Sequence, residues 1–325
     1  MKKTILKKIV LLILSFLVIY LINFIIPRCM PGDPFDYTSS VSGEDVDIEV
    51  STEQKAYMRA YYGLDKSLPL QLKDTIKLNI KGDLGESIHY KKPVLEIIKE
   101  RLPYTLLIML STLLISFILG TITALFSSER DKRGRLLYNV FSFIAEIPPY
   151  IIGIFLLFTV AVKIKFIPIS GAFTPFMRYS SATERIYDLF IHSLIPVTSM
   201  CIVTIPRFYF IAHTSFADIR KKLYVENAKL KGIGAARIYY RYILLNGITP
   251  VVVKLFLSVG SMLGSTILIE NVFAYPGLGL VMREAVRYRD YPLVQGIFLT
   301  SGVLTIISLF IADIINAAIS KETIV

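Results

Sequence analysis

The 325-residue sequence contains no tryptophan, three histidines and two cysteines. Cys29 and Cys201 have no further cysteine with which to complete a disulfide framework or a metal site. No glycine is followed by lysine, which excludes a phosphate-binding P-loop. The histidines are scattered, and neither a His/Glu metal motif nor a nucleophile elbow occurs. These absences predict a chain that is not an enzyme and that holds no metal or cofactor of its own.

Charged residues are rare in six long stretches, each near the ~20 residues that a helix needs to cross the hydrocarbon layer. Hydrophobic residues make up 54% of the chain. The predicted fold class is therefore an all-α membrane protein with six transmembrane helices. The predicted spans are residues 9–27, 102–128, 136–162, 189–206, 242–269 and 291–312. The first follows four lysines but lacks a small-residue cleavage site, so we interpret it as an uncleaved helix and not as a signal peptide.

The distribution of positive charge predicts the orientation in the membrane. With both termini in the cytoplasm, the inner segments contain 16 Lys and Arg among 57 residues, against 7 among 49 in the two short outer loops. This bias satisfies the positive-inside rule. The inner segments carry the whole net charge of +11, so the basic composition does not indicate nucleic-acid binding.

The predicted domain organisation has three parts: an amino-terminal tail with the first helix (1–27), an extracellular segment (28–103), and a five-helix core with a cytoplasmic loop (104–325, loop 214–246). In the extracellular segment, Ser51 to Gln54 fits a capping box and Gly63 closes the helix that follows. A second helical pattern ends at Gly82 to Gly85. A third, amphipathic helix over 93–102 is expected to feed the second span.

Prolines within two predicted spans mark candidate pathway residues. Pro148 and Pro149 in the third span, and Pro206 in the fourth, remove helical hydrogen bonds and should kink or open those helices. Kinked spans often line a path, although they also occur in helices that carry nothing. Glu146 either attracts a cationic group of the substrate or is a paired structural acid, and Arg207 either lines the pathway or pairs with an acid.

The longest cytoplasmic connection contains two short helical patterns, 218–231 and 235–245, around Gly232 and Gly234. Isolated helices of this length are marginal in water, so they are expected to gain order from a partner or from the membrane. One interpretation is a basic loop attracted to anionic headgroups. The other is a docking helix for another protein.

The residues of this loop resemble the cytoplasmic "EAA" loop of ABC importer permeases. Glu226-Asn227-Ala228 followed by Gly232 fits that pattern, and YVENAKLKG is similar to the version found in oligopeptide, dipeptide and nickel permeases. The stretches PGDP, YGLD, GDLGESI, PVLEIIKERLPYTL, FAYPGLG and RDYPLVQG also resemble signatures of that family, in its order. Departures from the pattern are Leu223, Asn227 and His213, which stand where an acid, a small or hydroxyl residue and an arginine are usual.

This resemblance implies a type I ABC importer permease fold in a bacterial cell membrane. The implied partners are a second homologous permease subunit, two ATP-binding subunits that hold ATP and Mg, and a substrate-binding protein outside. The residues implied to couple to the ATPases are Tyr224, Val225, Glu226, Ala228, Lys231 and Gly232. The residues implied to face the binding protein are Pro276, Gly277, Gly279, Arg289 and Asp290.

The nature of the cargo has two interpretations within this family and one outside it. Oligopeptides or dipeptides are favoured over nickel or a metal chelate, because histidine is scarce and a cysteine pair is lacking. The competing class is an ion-coupled secondary transporter, for which the intramembrane acids Glu146 and Asp313 are the best support. Asp313 lies near the cytoplasmic end of the last span, where a packing or snorkelling role is favoured.

Overall fold

Helices dominate the chain because a backbone in hydrocarbon must satisfy its own hydrogen-bonding groups. The computed structural model describes residues 2–30, 34 and 35, 51–127, 132–164 and 166–322. Two π-helical segments, Leu157–Ala161 and Ile238–Leu244, continue α6 and α9. In chain order the α-helices are α1 (Lys2–Arg28), α2 (Thr52–Tyr61), α3 (Leu68–Ile80), α4 (Val94–Phe126), α5 (Lys132–Ala145), α6 (Pro149–Leu156), α7 (Ala182–Arg220), α8 (Leu223–Leu230), α9 (Ala235–Arg237), α10 (Leu245–Gly247), α11 (Thr249–Val272), α12 (Leu278–Arg287) and α13 (Tyr291–Glu322).

Four of the described helices, α4, α7, α11 and α13, are long and apolar enough to cross a membrane. A bent pair, Gly134–Ala145 with Pro149–Ala161, makes a fifth span if it is counted as one, and Leu14–Arg28 of α1 is a shorter apolar helix. These helices confirm the predicted all-α membrane fold. The count of six transmembrane helices stays a prediction.

The third predicted span is not one straight helix. Its two halves are bent by 94° at the break between Ala145 and Pro149. Neither Pro148 nor Pro149 has an N–H to donate, and Pro149 occupies the first turn of α6, where that loss costs nothing. The predicted kink at these prolines is confirmed. Pro206 instead lies inside α7, which continues past it without a break.

The chain divides into two compact units, Met1–Pro103 with Gly277–Ile306, and Tyr104–Pro276 with Ile307–Val325. In the first unit the predicted helix caps are present. Ser51 Oγ accepts from the N–H of Gln54 at 3.2 Å, and Gly63 follows α2 with φ +65°. The predicted helix over 93–102 forms the first turns of α4, which continues through Pro103. The PGDP signature lies mostly outside the described residues.

The core of the first unit joins the start of α4 to α12 and the start of α13. Its buried members are Val94, Ile97, Ile98, Leu278, Val281, Met282, Ala285, Leu293, Val294 and Ile297. Gly296 allows the close approach of two of these helices, because an added Cβ would lie 2.4 Å from Val94 Cγ1. This packing holds the predicted extracellular segment against residues that follow it by two hundred positions.

In the second unit, α7 is the central helix and contacts α5, α6 and α11. The predicted cytoplasmic helix over 218–231 is divided, which corrects that boundary. Asp218 to Arg220 form the end of α7, the chain turns at Lys221 and Lys222, and α8 begins at Leu223. The carboxyl-terminal half of the loop forms α9, a π-helical segment and α10.

Candidate functional site

Helix α8 is short and ends in a defined turn. Its final carbonyls are satisfied by the N–H of Gly232, which donates to Lys229 at 3.0 Å, and by the N–H of Ile233, which donates to Ala228 at 3.2 Å. These two hydrogen bonds form a Schellman motif, whose turn residue adopts a left-handed conformation. Gly232 has φ +73°, so glycine is the residue that fits there without strain. The predicted glycine turn is present.

The two faces of α8 differ in burial. Val225 is fully buried and Ala228 is 3% exposed, and their spacing of three places them on one face toward the rest of the unit. Leu223 is 76% exposed, Leu230 is 81% exposed and Tyr224 is 41% exposed. Glu226, Lys231 and Gly232 are also exposed. Of the six predicted coupling residues, two therefore pack against the rest of the unit, and four are exposed on α8 or in the turn that follows it.

The exposed face of α8 combines apolar and charged groups suited to protein contact. Leu223 and Leu230 are about three-quarters or more exposed. Contact of such apolar side chains with water is unfavourable, so covering them with a partner would stabilise the complex. Glu226 stands in the first turn, where a negative charge interacts favourably with the helix dipole. The arrangement favours docking over a passive basic loop.

Close contacts join this loop to the spanning helices. Arg220, at the end of α7, donates to the carbonyl of Ser127 at 2.9 Å and also to the carbonyl of Leu125. Gly247 packs against Phe216, since an added Cβ would lie 2.6 Å from its Cδ1. Ser215 Oγ also donates to the carbonyl of Gly247 at 2.8 Å. These contacts join the end of α7 to the end of α4 and to α10, and α8 itself contacts α7 and the π-helical segment Ile238–Leu244.

The predicted pathway residues meet at the 94° break of the third span. Arg207 Nη2 donates to the carbonyl of Ala145 at 3.3 Å, which satisfies a free carbonyl at the end of α5. Glu146 is the next residue and its side chain is exposed. Pro148 is exposed and Pro149 is half-buried. An acid and a guanidinium thus flank the break in the helix, and among the described residues no ion pair joins Glu146 to a basic side chain.

The five residues predicted to face a binding protein are buried or half-buried in the structure. Asp290 is fully buried, and its carboxylate accepts from Ser87 Oγ at 2.5 Å, from the N–H of His89 at 3.0 Å and from the N–H of Leu293 at 3.2 Å. Gly277 and Gly279, at the start of α12, are also buried. The contacts of Asp290 stabilise the first unit, and the contact of Gly277, Gly279 and Asp290 with a binding protein stays a prediction. Pro276 and Arg289 are half-buried, and their predicted contact with a binding protein stays a prediction.

Two titratable groups beside Asp290 have shifted pKa values. Burial lowers the pKa of His89, while nearby Asp290 and Glu284 act in the opposite direction. Burial and a hydrogen bond to Glu284 raise the pKa of Tyr90. The His89 ring also stacks on Tyr288 with centroids 4.0 Å apart. The neutral forms of both side chains are therefore favoured in the folded unit.

Sequence reasoning missed a second buried carboxylate at the start of α7. Asp188 accepts from the N–H of Thr174 at 2.7 Å, from Thr174 Oγ1 at 2.8 Å and from the Tyr179 hydroxyl at 2.6 Å. These contacts fix the loop that precedes α7. No local sequence pattern indicated it, because its partners Thr174 and Tyr179 lie in the irregular segment before α7.

The helices, the exposed α8 and the opening at the third span define a multi-pass membrane permease. Residues 116–325 match the model of a family described as the inner membrane component of binding-protein-dependent transport systems. The chain therefore belongs to this family of ABC importer permeases. Members are normally non-catalytic membrane subunits that work with other permease, ATPase and binding-protein components.

Individual relatives cover nearly the whole chain. The nickel import system permease protein NikB of Staphylococcus aureus (strain MRSA252) is 30% identical over 98% of this chain and 91% of its own length. The oligopeptide transport system permease protein AppB of Bacillus subtilis (strain 168) is 26% identical over 94% of this chain and 93% of its own length. The similarity therefore includes the segment before residue 116.

Proposed function

We propose that this permease subunit imports oligopeptides or dipeptides and forms half of their translocation pathway. ATP hydrolysis in two partner subunits would drive transport, and those partners would bind the ATP and Mg. The observation that carries this proposal is α8, whose leucines are exposed while Val225 and Ala228 hold it to its own chain. Both termini would lie in the cytoplasm of a bacterial cell, in accordance with the charge bias.

The coupling mechanism follows from the attachment of α8. Closure of the ATPases on their nucleotide would displace α8, which contacts α7 and the π-helical segment Ile238–Leu244. Helix α10 follows that segment and contacts both α7 and α11, so the displacement would reach these two helices through it. A partner shifts such an equilibrium only by binding the two states differently. The exposed residues Leu223, Glu226 and Leu230 are therefore expected to make different contacts in the inward-open and outward-open states.

The peptide cargo is supported by the similarity to AppB, an oligopeptide permease protein, and by the scarcity of histidine. Nickel or a metal chelate is the second candidate, because NikB is 30% identical over 98% of this chain. A substrate-binding protein and a second permease subunit would complete the complex. Glu146 and Arg207 would contribute to the polar lining of the pathway.

Reconstitution of the complete complex in proteoliposomes tests the proposal. The ATPase rate and the uptake of labelled di- to pentapeptides and of Ni(II) are measured with the binding protein present. Peptide uptake that requires ATP, with stimulated hydrolysis, is the expected result. Uptake of Ni(II) alone would establish the second candidate, and uptake by this chain without any ATPase would overturn both.

A further inference from the structure

Two adjoining cavities lie in the first unit, where the end of α1 meets α2, α3 and the start of α13. The larger cavity has a volume of about 430 Å³ and the smaller one of about 270 Å³. Both cavities are lined by Arg28, Tyr61, Tyr62, Thr75 and Leu78, so they form one continuous space. Sites for small molecules in proteins have volumes of roughly 300–1,000 Å³. The space is therefore large enough for a small molecule.

The larger cavity carries a surplus of positive charge. Its charged side chains are those of Arg28, Lys66, Asp74, Lys77 and Lys81. Lys66 and Asp74 form an ion pair at 2.7 Å and neutralise each other. Among the described residues, no acid forms an ion pair with Arg28, Lys77 or Lys81. Three positive charges of the cavity wall are therefore available to an anion.

Arg28 is held in place by neutral groups. Its Nε donates to Gln71 Oε1 at 2.8 Å, and its Nη1 donates to the carbonyl of Phe24 at 2.8 Å. Gln71 is buried, and its Nε2 donates to the carbonyls of Lys66 at 2.8 Å and Leu64 at 3.4 Å. The Gln71 amide is thereby oriented with its oxygen toward Arg28. A half-buried guanidinium with neutral partners is a strong site for charge-assisted hydrogen bonds to a carboxylate.

The smaller cavity has a more apolar lining. Four apolar residues line it and not the larger cavity: Leu64, Leu84, Ile88 and Pro292. Its acid is Glu86, whose carboxylate accepts from the Tyr61 hydroxyl at 3.1 Å. The rings of Tyr61 and Tyr62, with centroids 5.1 Å apart, belong to the wall that the two cavities share. A ligand with its anionic group beside Arg28 can therefore extend an apolar group into the smaller cavity.

We propose that this combined space binds the carboxyl terminus of a short peptide. The terminal carboxylate accepts hydrogen bonds from Arg28, with Lys77 and Lys81 beside it, and the last side chain of the peptide lies in the smaller cavity. An inorganic anion would satisfy the charge and leave the apolar lining uncovered, so a peptide with an apolar last residue fits both parts. This inference rests on the proposed peptide cargo. It makes the predicted extracellular segment a site that holds cargo before the cargo enters the pathway.

Peptide binding to the assembled transporter tests the proposal without transport. The complex in nanodiscs, without ATP and without binding protein, is titrated with alanyl-alanyl-leucine that carries a fluorophore at its amino terminus, and with the carboxyl amide of the same peptide. The free acid should bind roughly tenfold more tightly than the amide, because only the acid forms charge-assisted hydrogen bonds. Added salt should weaken binding of the free acid, since it screens charges. Equal affinities would overturn the proposal.

Charge variants assign the preference for the free acid to this cavity. Lys77→Gln with Lys81→Gln should lower the ratio of acid to amide affinity by roughly fivefold and leave the affinity of the amide unchanged. Arg28→Gln should abolish the preference. Lys92→Gln with Lys99→Gln is the matched control and should retain it, because these lysines are exposed and line neither cavity. A ratio that the Lys77 and Lys81 replacements leave unchanged would overturn the proposal.

Further outcomes separate this inference from the proposed cargo. ATP-driven peptide uptake combined with equal affinities for acid and amide would overturn the inference and leave the peptide cargo standing, whereas uptake of Ni(II) alone would overturn both. Residues 44–49, outside the described ranges, include four acids and are a competing occupant of a basic cavity. A preference for the free acid that appears only after these acids are replaced by amides would also overturn the inference.

Discussion

The N–H of Ile233 donates to the carbonyl of Ala228 at 3.2 Å across the turn that ends α8. This hydrogen bond fixes the direction in which the chain leaves the helix. It exists because Gly232, between the two residues, adopts φ +73°. The shape of the proposed docking helix therefore depends on one backbone conformation and not on side-chain packing at that position.

Gly232→Val should impair transport by distorting the end of α8. A side chain in the left-handed region costs roughly 1–2 kcal/mol, and a β-branched one is the least tolerated. We expect peptide uptake to fall while the complex still hydrolyses ATP, measured together in proteoliposomes. Gly234→Ala is the matched control, because Gly234 has φ −59° and an added Cβ meets nothing within 4 Å. Equal uptake in the two variants would contradict this prediction.

Glu146→Gln should reduce uptake of cationic peptides more than uptake of neutral ones. The exposed carboxylate stands at the break of the third span, next to the carbonyl that Arg207 contacts. Removing one negative charge there is expected to lower the uptake ratio of cationic to neutral peptide by roughly tenfold at most, which corresponds to ~1.4 kcal/mol. Identical ratios in the variant and the parent protein would show that Glu146 does not act on the cargo in the pathway.

Asp290→Asn should destabilise the first unit although it preserves size. Three donors point at the buried carboxylate, from Ser87, His89 and Leu293. An amide offers one acceptor oxygen and turns an NH₂ group toward a donor. We therefore expect the free energy of unfolding to decrease by about 1–3 kcal/mol. Thermal unfolding in detergent measures it. Asp65→Asn, at an exposed position, is the control and should unfold like the parent protein.

Acidification should weaken the same unit through His89. Because burial lowers the pKa of His89 in the folded state, the unfolded chain binds more protons as the pH falls below ~6.5. The free energy of unfolding should then decrease over that range and be constant above it. His89→Gln should reduce the slope of unfolding temperature against pH between about pH 7.5 and about pH 5.5. An unchanged slope in this variant would show that other groups cause it.

The sequence predicted those features that depend on local chemistry. Helix α2 begins after Ser51, whose side chain caps it, and the chain turns at Gly63 after the helix ends. Gly232 likewise turns the chain after α8. The proline pair indicated a break in the third span. Its angle of 94° could not be predicted, because the direction of α6 is set by packing of Gly153 against Ile269 and Phe273, more than one hundred residues away.

Features that depend on distant partners were the ones the sequence could not supply. Asp290 follows a turn and has the polarity of a surface residue, yet Ser87 and His89 enclose it from another part of the chain. The close approach of Gly247 to Phe216 likewise appears only when α7 and α10 are brought together. A single sequence records the residue types but not these tertiary contacts.

Photo-crosslinking from α8 in the assembled transporter tests the central claim most directly. A photoreactive amino acid replaces Leu230, which is 81% exposed, or Tyr57 of α2 as the control. The account predicts a product that joins position 230 to an ATP-binding subunit, with a yield that changes when ATP is trapped, and no such product from position 57. A complex that transports its cargo but gives no ATPase product from position 230 would contradict the account.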